Sequence, residues 1–232
     1  MARNDKLLAL GGINGSVEPL AQALENLTDD VVAIAVVGDL GGPDGTPETY
    51  RAVFRALGRA ERPTYWVPGA TDTGLRHYLH DTSGLEIAFP QLHGVHGRVA
   101  DGPGHILFAG MGGEIVDGTD DPSPGEELRY SGREADYRMR EITEFKEHPR
   151  VLLFTTQPAH KGSRTPGSEA VAELIKTYRP LLAIVAGDGV SEERLGTTLV
   201  VSPGRIDCGQ YALIGLHDLS IEVGDVAEHA AV

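Results

Sequence analysis

The chain has 232 residues, enough for one large domain with a substantial core, and 41% of them are hydrophobic, which excludes global disorder. Its 20 basic and 34 acidic residues give a formal charge of −14, which argues against nucleic acid or an anionic membrane as a partner, since both require a broad cationic surface. The lone cysteine, Cys208, excludes an internal disulfide, suits a reducing cytoplasmic setting, and is expected as a small buried hydrophobe.

Met1 to Lys6 is polar, and the apolar run after it is broken by Gly11 and Gly12, too short for a signal segment or a membrane span. Leu7 to Leu10 is predicted as the first strand. Ser16 is placed to cap a helix that carries Leu20, Leu24 and Leu27 on one face. Val31 to Val37 is an almost unbroken aliphatic run, as a central strand covered on both faces requires. Thr46 to Ala60 places Tyr50, Val53, Phe54 and Leu57 at helical spacing, and Thr64 to Val67 is the third strand. Alternation of this kind predicts β-α-β-α-β and a mostly parallel sheet.

From Leu92 the strands shorten, with His105 to Ala109 the clearest, and turns such as Asp101 to Gly104 favour antiparallel pairing. His93 and His96 are expected in turns. Glu114 to Asp136 is acidic and aperiodic and is read as a long surface loop leading to a helix over Glu134 to Glu147. Then follow a strand at Val151 to Phe154, a helix at Ser168 to Thr177, a strand at Leu181 to Val185, and short strands at Leu199 to Val201, Tyr211 to Ile214 and Leu219 to Val223. Neither a linker nor a repeat interrupts the pattern, so residues 1–224 are expected to form one domain and 225–232 a tail.

Five short motifs follow predicted strands in order: Gly12-Ile13-Asn14-Gly15, Gly38-Asp39, Pro68-Gly69-Ala70-Thr71-Asp72, Thr155-Thr156-Gln157-Pro158 and Gly187-Asp188-Gly189-Val190. Together with Ala109 to Glu114 and the closing Leu195 to Gly204, this series resembles the calcineurin-like metallophosphoesterases. Those enzymes carry D-x-H, G-D, G-N-H-D, a lone His and G-H-x-H at these points. The resemblance implies a four-layer α/β/β/α sandwich with mixed sheets. It also implies two metal ions bridged by the G-D aspartate, here Asp39, which activate water for attack on a phosphoester.

Mapped onto the motifs, the metal-binding and catalytic positions hold Gly12, Asn14, Asp39, Ala70, Thr71, Thr156, Asp188 and Val190. Asp39 alone keeps the original ligand type, and no imidazole remains, too few donors for two adjacent dications. The expectation is therefore a degenerate, catalytically inactive relative without a cofactor. Its vestigial cleft, formed by Asn14, Asp39, Asp72, Thr156, Gln157, His160, Lys161 and Asp188, would bind a small phosphate-bearing, nucleotide-like ligand or a protein partner. For Asp72 and Asp188 the favoured reading is that they cap helices or tighten turns. The alternative is an active phosphoesterase with one or two divalent ions on a rebuilt set of Asp39, Asp72, Asp188 and His160. A dinucleotide-binding turn at Gly11 to Gly15 lacks the full G-x-G-x-x-G. A homodimer or tetramer is a family-level expectation.

Overall fold

The computed structural model describes residues 5–75, 89–118, 128–160 and 166–226. The first part runs β1 (Lys6–Gly11), α1 (Val17–Glu25), β2 (Val31–Val37), α2 (Pro47–Arg59), β3 (Thr64–Val67), β4 (Leu92–Gly94), β5 (Val99–Asp101) and β6 (Leu107–Met111). Next come β7 (Glu114–Val116), β8 (Arg129–Ser131), α3 (Gly132–Met139), β9 (Arg150–Phe154), α4 (Glu169–Tyr178) and β10 (Leu182–Val185). The chain closes with β11 (Val190–Leu195), β12 (Thr198–Pro203), β13 (Gln210–Gly215) and β14 (Ile221–Asp225).

Two six-stranded mixed sheets result, ordered β14-β13-β1-β2-β3-β4 and β11-β12-β10-β9-β6-β5, with β7 and β8 as a small parallel pair. Side chains alternate across each strand, so one strand feeds two cores. Leu8 and Leu10 of β1 pack with α1 and α2 residues, while Leu7 and Ala9 face the second sheet. In β9, Val151 and Leu153 meet them between the sheets, and Leu152 and Phe154 pack under α3 and α4. Helices therefore cover the outer faces of both sheets, and the expected four layers are present.

Local sequence explains the helices. Pro47 opens α2, Thr46 Oγ1 accepts from the Thr49 amide at 3.3 Å, and Tyr50, Val53, Phe54 and Leu57 are buried. Ser168 Oγ accepts from the Val171 amide at 3.3 Å and starts α4, whose Val171, Leu174, Ile175 and Tyr178 face inward. Ser16, by contrast, makes no side-chain cap bond to α1. No described helix is long and apolar enough to cross a membrane.

Several expectations are corrected. β4 joins β3 in parallel rather than antiparallel fashion, while β5 and β6 form the expected antiparallel pair. The acidic stretch contains β7 and β8, α3 begins at Gly132 and ends at Met139, and β11 is a strand that the sequence pattern does not predict. His93 sits within β4 rather than in a turn. Asp225 pairs with Gln210 in β14 rather than opening a tail. Cys208 is exposed rather than buried.

Candidate functional site

The carboxyl ends of strands from both sheets frame a cleft of about 640 Å³, reached by Asp39 after β2, Gly69 to Thr71 after β3, Thr155 to Pro158 after β9 and Ala186 to Gly189 after β10. Strand-end clefts of this kind are where open α/β sheets bind ligands. Of the residues selected from sequence, Asp39, Thr156, Gln157 and Asp188 line it. Asn14, Asp72 and His160 are not among its lining residues, and Lys161 lies outside the described residues.

The polar groups at the rim are largely committed to the protein itself. Asp39, held at φ 40°, accepts a hydrogen bond from Thr71 Oγ1 at 2.9 Å. Thr156 Oγ1 donates to the Gly113 carbonyl at 3.2 Å and accepts from the Ile115 amide at 2.9 Å. Gln157 Nε2 donates to the Ala186 carbonyl at 3.0 Å. His160 Nε2 lies 2.8 Å from Glu193 Oε2. Asp188 is fully exposed, with its Oδ1 3.8 Å from Arg205 Nη1.

Asp72 is a structural residue, as its turn-tightening reading anticipated. It is completely buried. Its Oδ2 accepts from the amides of Leu40 and Gly69, each at 2.8 Å, and its Oδ1 from those of Gly41 at 2.8 Å and Gly42 at 3.2 Å. Tyr50 donates its hydroxyl to the same Oδ1 at 3.3 Å. Burial pushes the Asp72 carboxyl above its ordinary pKa, while the amides of Gly69, Gly41 and Leu40 pull it back. The carboxylate thus ties the loop after β2 to the turn after β3 and shapes the cleft wall from behind.

Comparison with known proteins places this geometry. The sequence model described as "Metallophosphoesterase, calcineurin superfamily" matches residues 45–226. The chain belongs to that superfamily. No curated protein sequence matched. Among solved structures, TT1561 of Thermus thermophilus is 38% identical, with a TM-score of 0.89 over 96% of this chain and 99% of that one. A second structure is 24% identical at a TM-score of 0.84, over 97% and 100% of the respective chains. Phosphopantetheinyl hydrolase (PptH) from Mycobacterium tuberculosis shares the fold, at 11% identity and a TM-score of 0.59 over 89% of this chain and 92% of that one.

Within the calcineurin superfamily the resemblance puts an aspartate ligand at position 12. Here the position is Gly12, at φ 53°, and a Cβ added to it would lie 2.8 Å from Cγ and 3.1 Å from Cβ of Arg205. The stem of Arg205 therefore fills the space into which that carboxylate would project. Its guanidinium is gripped by Asp207, Nε to Oδ1 at 3.0 Å and Nη2 to Oδ2 at 2.6 Å, and Asn14 Nδ2 donates to Asp207 Oδ2 at 2.9 Å. The Arg205 contact, with help from Asn14, holds the Asp207 carboxyl below the usual range although partial burial opposes it. Gly12→Ala is expected to cost about 1–2 kcal/mol from the left-handed backbone alone, plus the collision with Arg205. Denaturant unfolding of Gly12→Ala with and without Arg205→Ala should show the second mutation relieving part of the loss; strict additivity would rule out the collision.

Arg205 falls just past the Leu195 to Gly204 segment and belongs to none of the five motifs, so they do not point to it. The available signal was Arg205-Ile206-Asp207, a cation and a carboxylate two residues apart just past a strand end. Glu114 and Glu193 also line the cleft: Glu114 lies in a strand of three residues, too short to show alternation, and Glu192 and Arg194 flank Glu193 and hide the pattern of its strand. Among the described residues, no group of three or more His, Cys, Asp or Glu side chains is close enough to share a metal ion.

Proposed function

We propose that this superfamily member binds but does not hydrolyse. The observation that carries the reading is Arg205 lying across Gly12, where a side-chain ligand cannot project without moving it. The donor chemistry agrees. Gly12, Ala70 and Val190 offer no side-chain ligand, Asn14 is bonded to Asp207, and Thr71 and Thr156 are weak neutral donors already bonded to the protein. This set does not fit a pair of divalent ions, which need several carboxylates or imidazoles on open lone pairs. The rebuilt set fares no better. Asp72 is spent on amides and His160 on Glu193, leaving Asp39 and Asp188.

The charges of the cleft favour one of the two expected ligand classes. Its described lining contains Asp39, Glu114, Asp188 and Glu193 but no Lys, Arg or His. A phosphate-bearing, nucleotide-like ligand would meet these carboxylates without a countercharge among the described lining residues, which favours the partner reading over it. A partner segment that presents Lys or Arg beside polar backbone groups is the better match. The test is turnover of an aryl phosphodiester with Mn2+, Ni2+ or Mg2+ supplied. The expected rate equals that of buffer, and turnover that disappears in Asp39→Ala would overturn the proposal.

A further inference from the structure

We propose a second binding site, for a phosphate-type anion, at the opposite end of the strands from the cleft. A pocket of about 500 Å³ opens there, lined by Lys146, His148, Arg150 and Arg179 together with Pro149, Pro180 and other uncharged residues. Arg150 begins β9, Arg179 closes α4, and Thr197 sits in the turn between β11 and β12. These positions belong to the amino ends of the parallel strands of the second sheet, and the pocket shares no residue with the cleft.

The charge of the pocket is unusual for this chain. With 34 acidic residues against 20 basic ones, most cationic clusters would be neutralised by neighbours, yet no carboxylate lines this pocket. Among the described residues, Lys146, Arg150 and Arg179 form no ion pair. Three uncompensated cations against proline and leucine walls repel one another, and a multiply charged anion removes that repulsion.

Two details show that the arrangement is built rather than incidental. Arg150 is fixed by donating Nη1 to the Tyr178 carbonyl at 2.8 Å and Nη2 to the Phe145 carbonyl at 3.0 Å, while its buried Nε–H has no hydrogen-bond partner. The two carbonyls immobilise the guanidinium without neutralising it, so its charge stands fixed at the pocket wall, where an anion can pair with it. Arg179 closes α4 in the left-handed conformation, φ 46° and ψ 56°, a place that glycine fills without strain. The helix needs only its backbone N–H there, which donates to the Ile175 carbonyl at 2.9 Å. The Arg179 side chain contributes nothing to that cap and is available as a charge. Arg150 already serves the carboxyl end of α4, so Arg179 and Lys146 are not required for the helix dipole.

Calorimetry of the full chain with inorganic pyrophosphate tests this directly. Saturable one-to-one binding is expected, weakening as salt rises. In Lys146→Ala/Arg179→Gly the affinity should fall by about tenfold or more, in line with the loss of two charge-assisted contacts. Glycine suits the backbone at position 179, so the double variant keeps its fold; Lys146→Ala alone, at an exposed position, should show a smaller loss in the same direction. Absence of saturable binding, or equal affinity in wild type and variants, would overturn the proposal.

Discussion

Asp72→Asn is expected to destabilise the protein by about 2–4 kcal/mol although it changes one atom, because both carboxylate oxygens accept hydrogen bonds from buried donors. An asparagine oxygen can replace only one of them. If it replaces Oδ1, the amide NH2 faces the Leu40 and Gly69 N–H groups; if it replaces Oδ2, the NH2 faces Gly41, Gly42 and the Tyr50 hydroxyl. Either way at least two buried donors lose their acceptor. Removing a buried charge returns part of the loss, since burial raises the Asp72 pKa. Chemical denaturation at neutral pH measures the result. A change within the scatter of surface substitutions would mean that Asp72 does not hold the two loops together.

Acid should weaken the fold well above the carboxylate range, through His96. Its Nδ1 accepts a hydrogen bond from the Gly112 amide at 3.0 Å, which assigns the neutral tautomer with the proton on Nε2. Burial, followed by the nearby charge of Arg138, lowers its pKa from 6.5 to about 4. Protonation would also turn the acceptor into a donor facing a donor. Because the folded pKa lies below the unfolded one, this contribution is complete above pH 6.5 and is lost as the pH falls toward 4. Between about pH 7.5 and 4.5 the loss should reach about 2–3 kcal/mol. His96→Gln keeps an acceptor for Gly112 without titrating, so its stability should fall by that much less over the same interval. Parallel pH profiles for the two proteins would contradict the assignment.

Legibility in the sequence followed how much of an element's signal is its own. Val31 to Val37 and Thr64 to Val67 were read to the residue because strands buried on both faces are continuous apolar runs bounded by polar turns. The pairing of β4 was not legible, since a three-residue strand carries no information about direction. β11, Val190–Leu195, is half charged because it lies at a sheet edge, and edge strands lose the apolar alternation that marks interior ones. At the site, the order of the five motifs revealed which strand ends converge, which is why Asp39, Thr156, Gln157 and Asp188 fall on one cleft. It could not reveal which groups are already bonded. Asp72 turns inward to amides contributed by residues some thirty positions earlier, and Arg205 crosses to Gly12 from the far end of the chain. His96 reads as a turn residue locally, yet its hydrogen bond to Gly112 comes from another strand end. Such tertiary partnerships leave no spacing to detect.

The most direct test is the metal content of the cleft after the protein has been equilibrated with excess Mn2+ and the free ion removed. An emptied donor set with Arg205 seated at Gly12 predicts no ion retained near Asp39. Two ions per chain bound there, seen by elemental analysis and located by anomalous scattering, would contradict it.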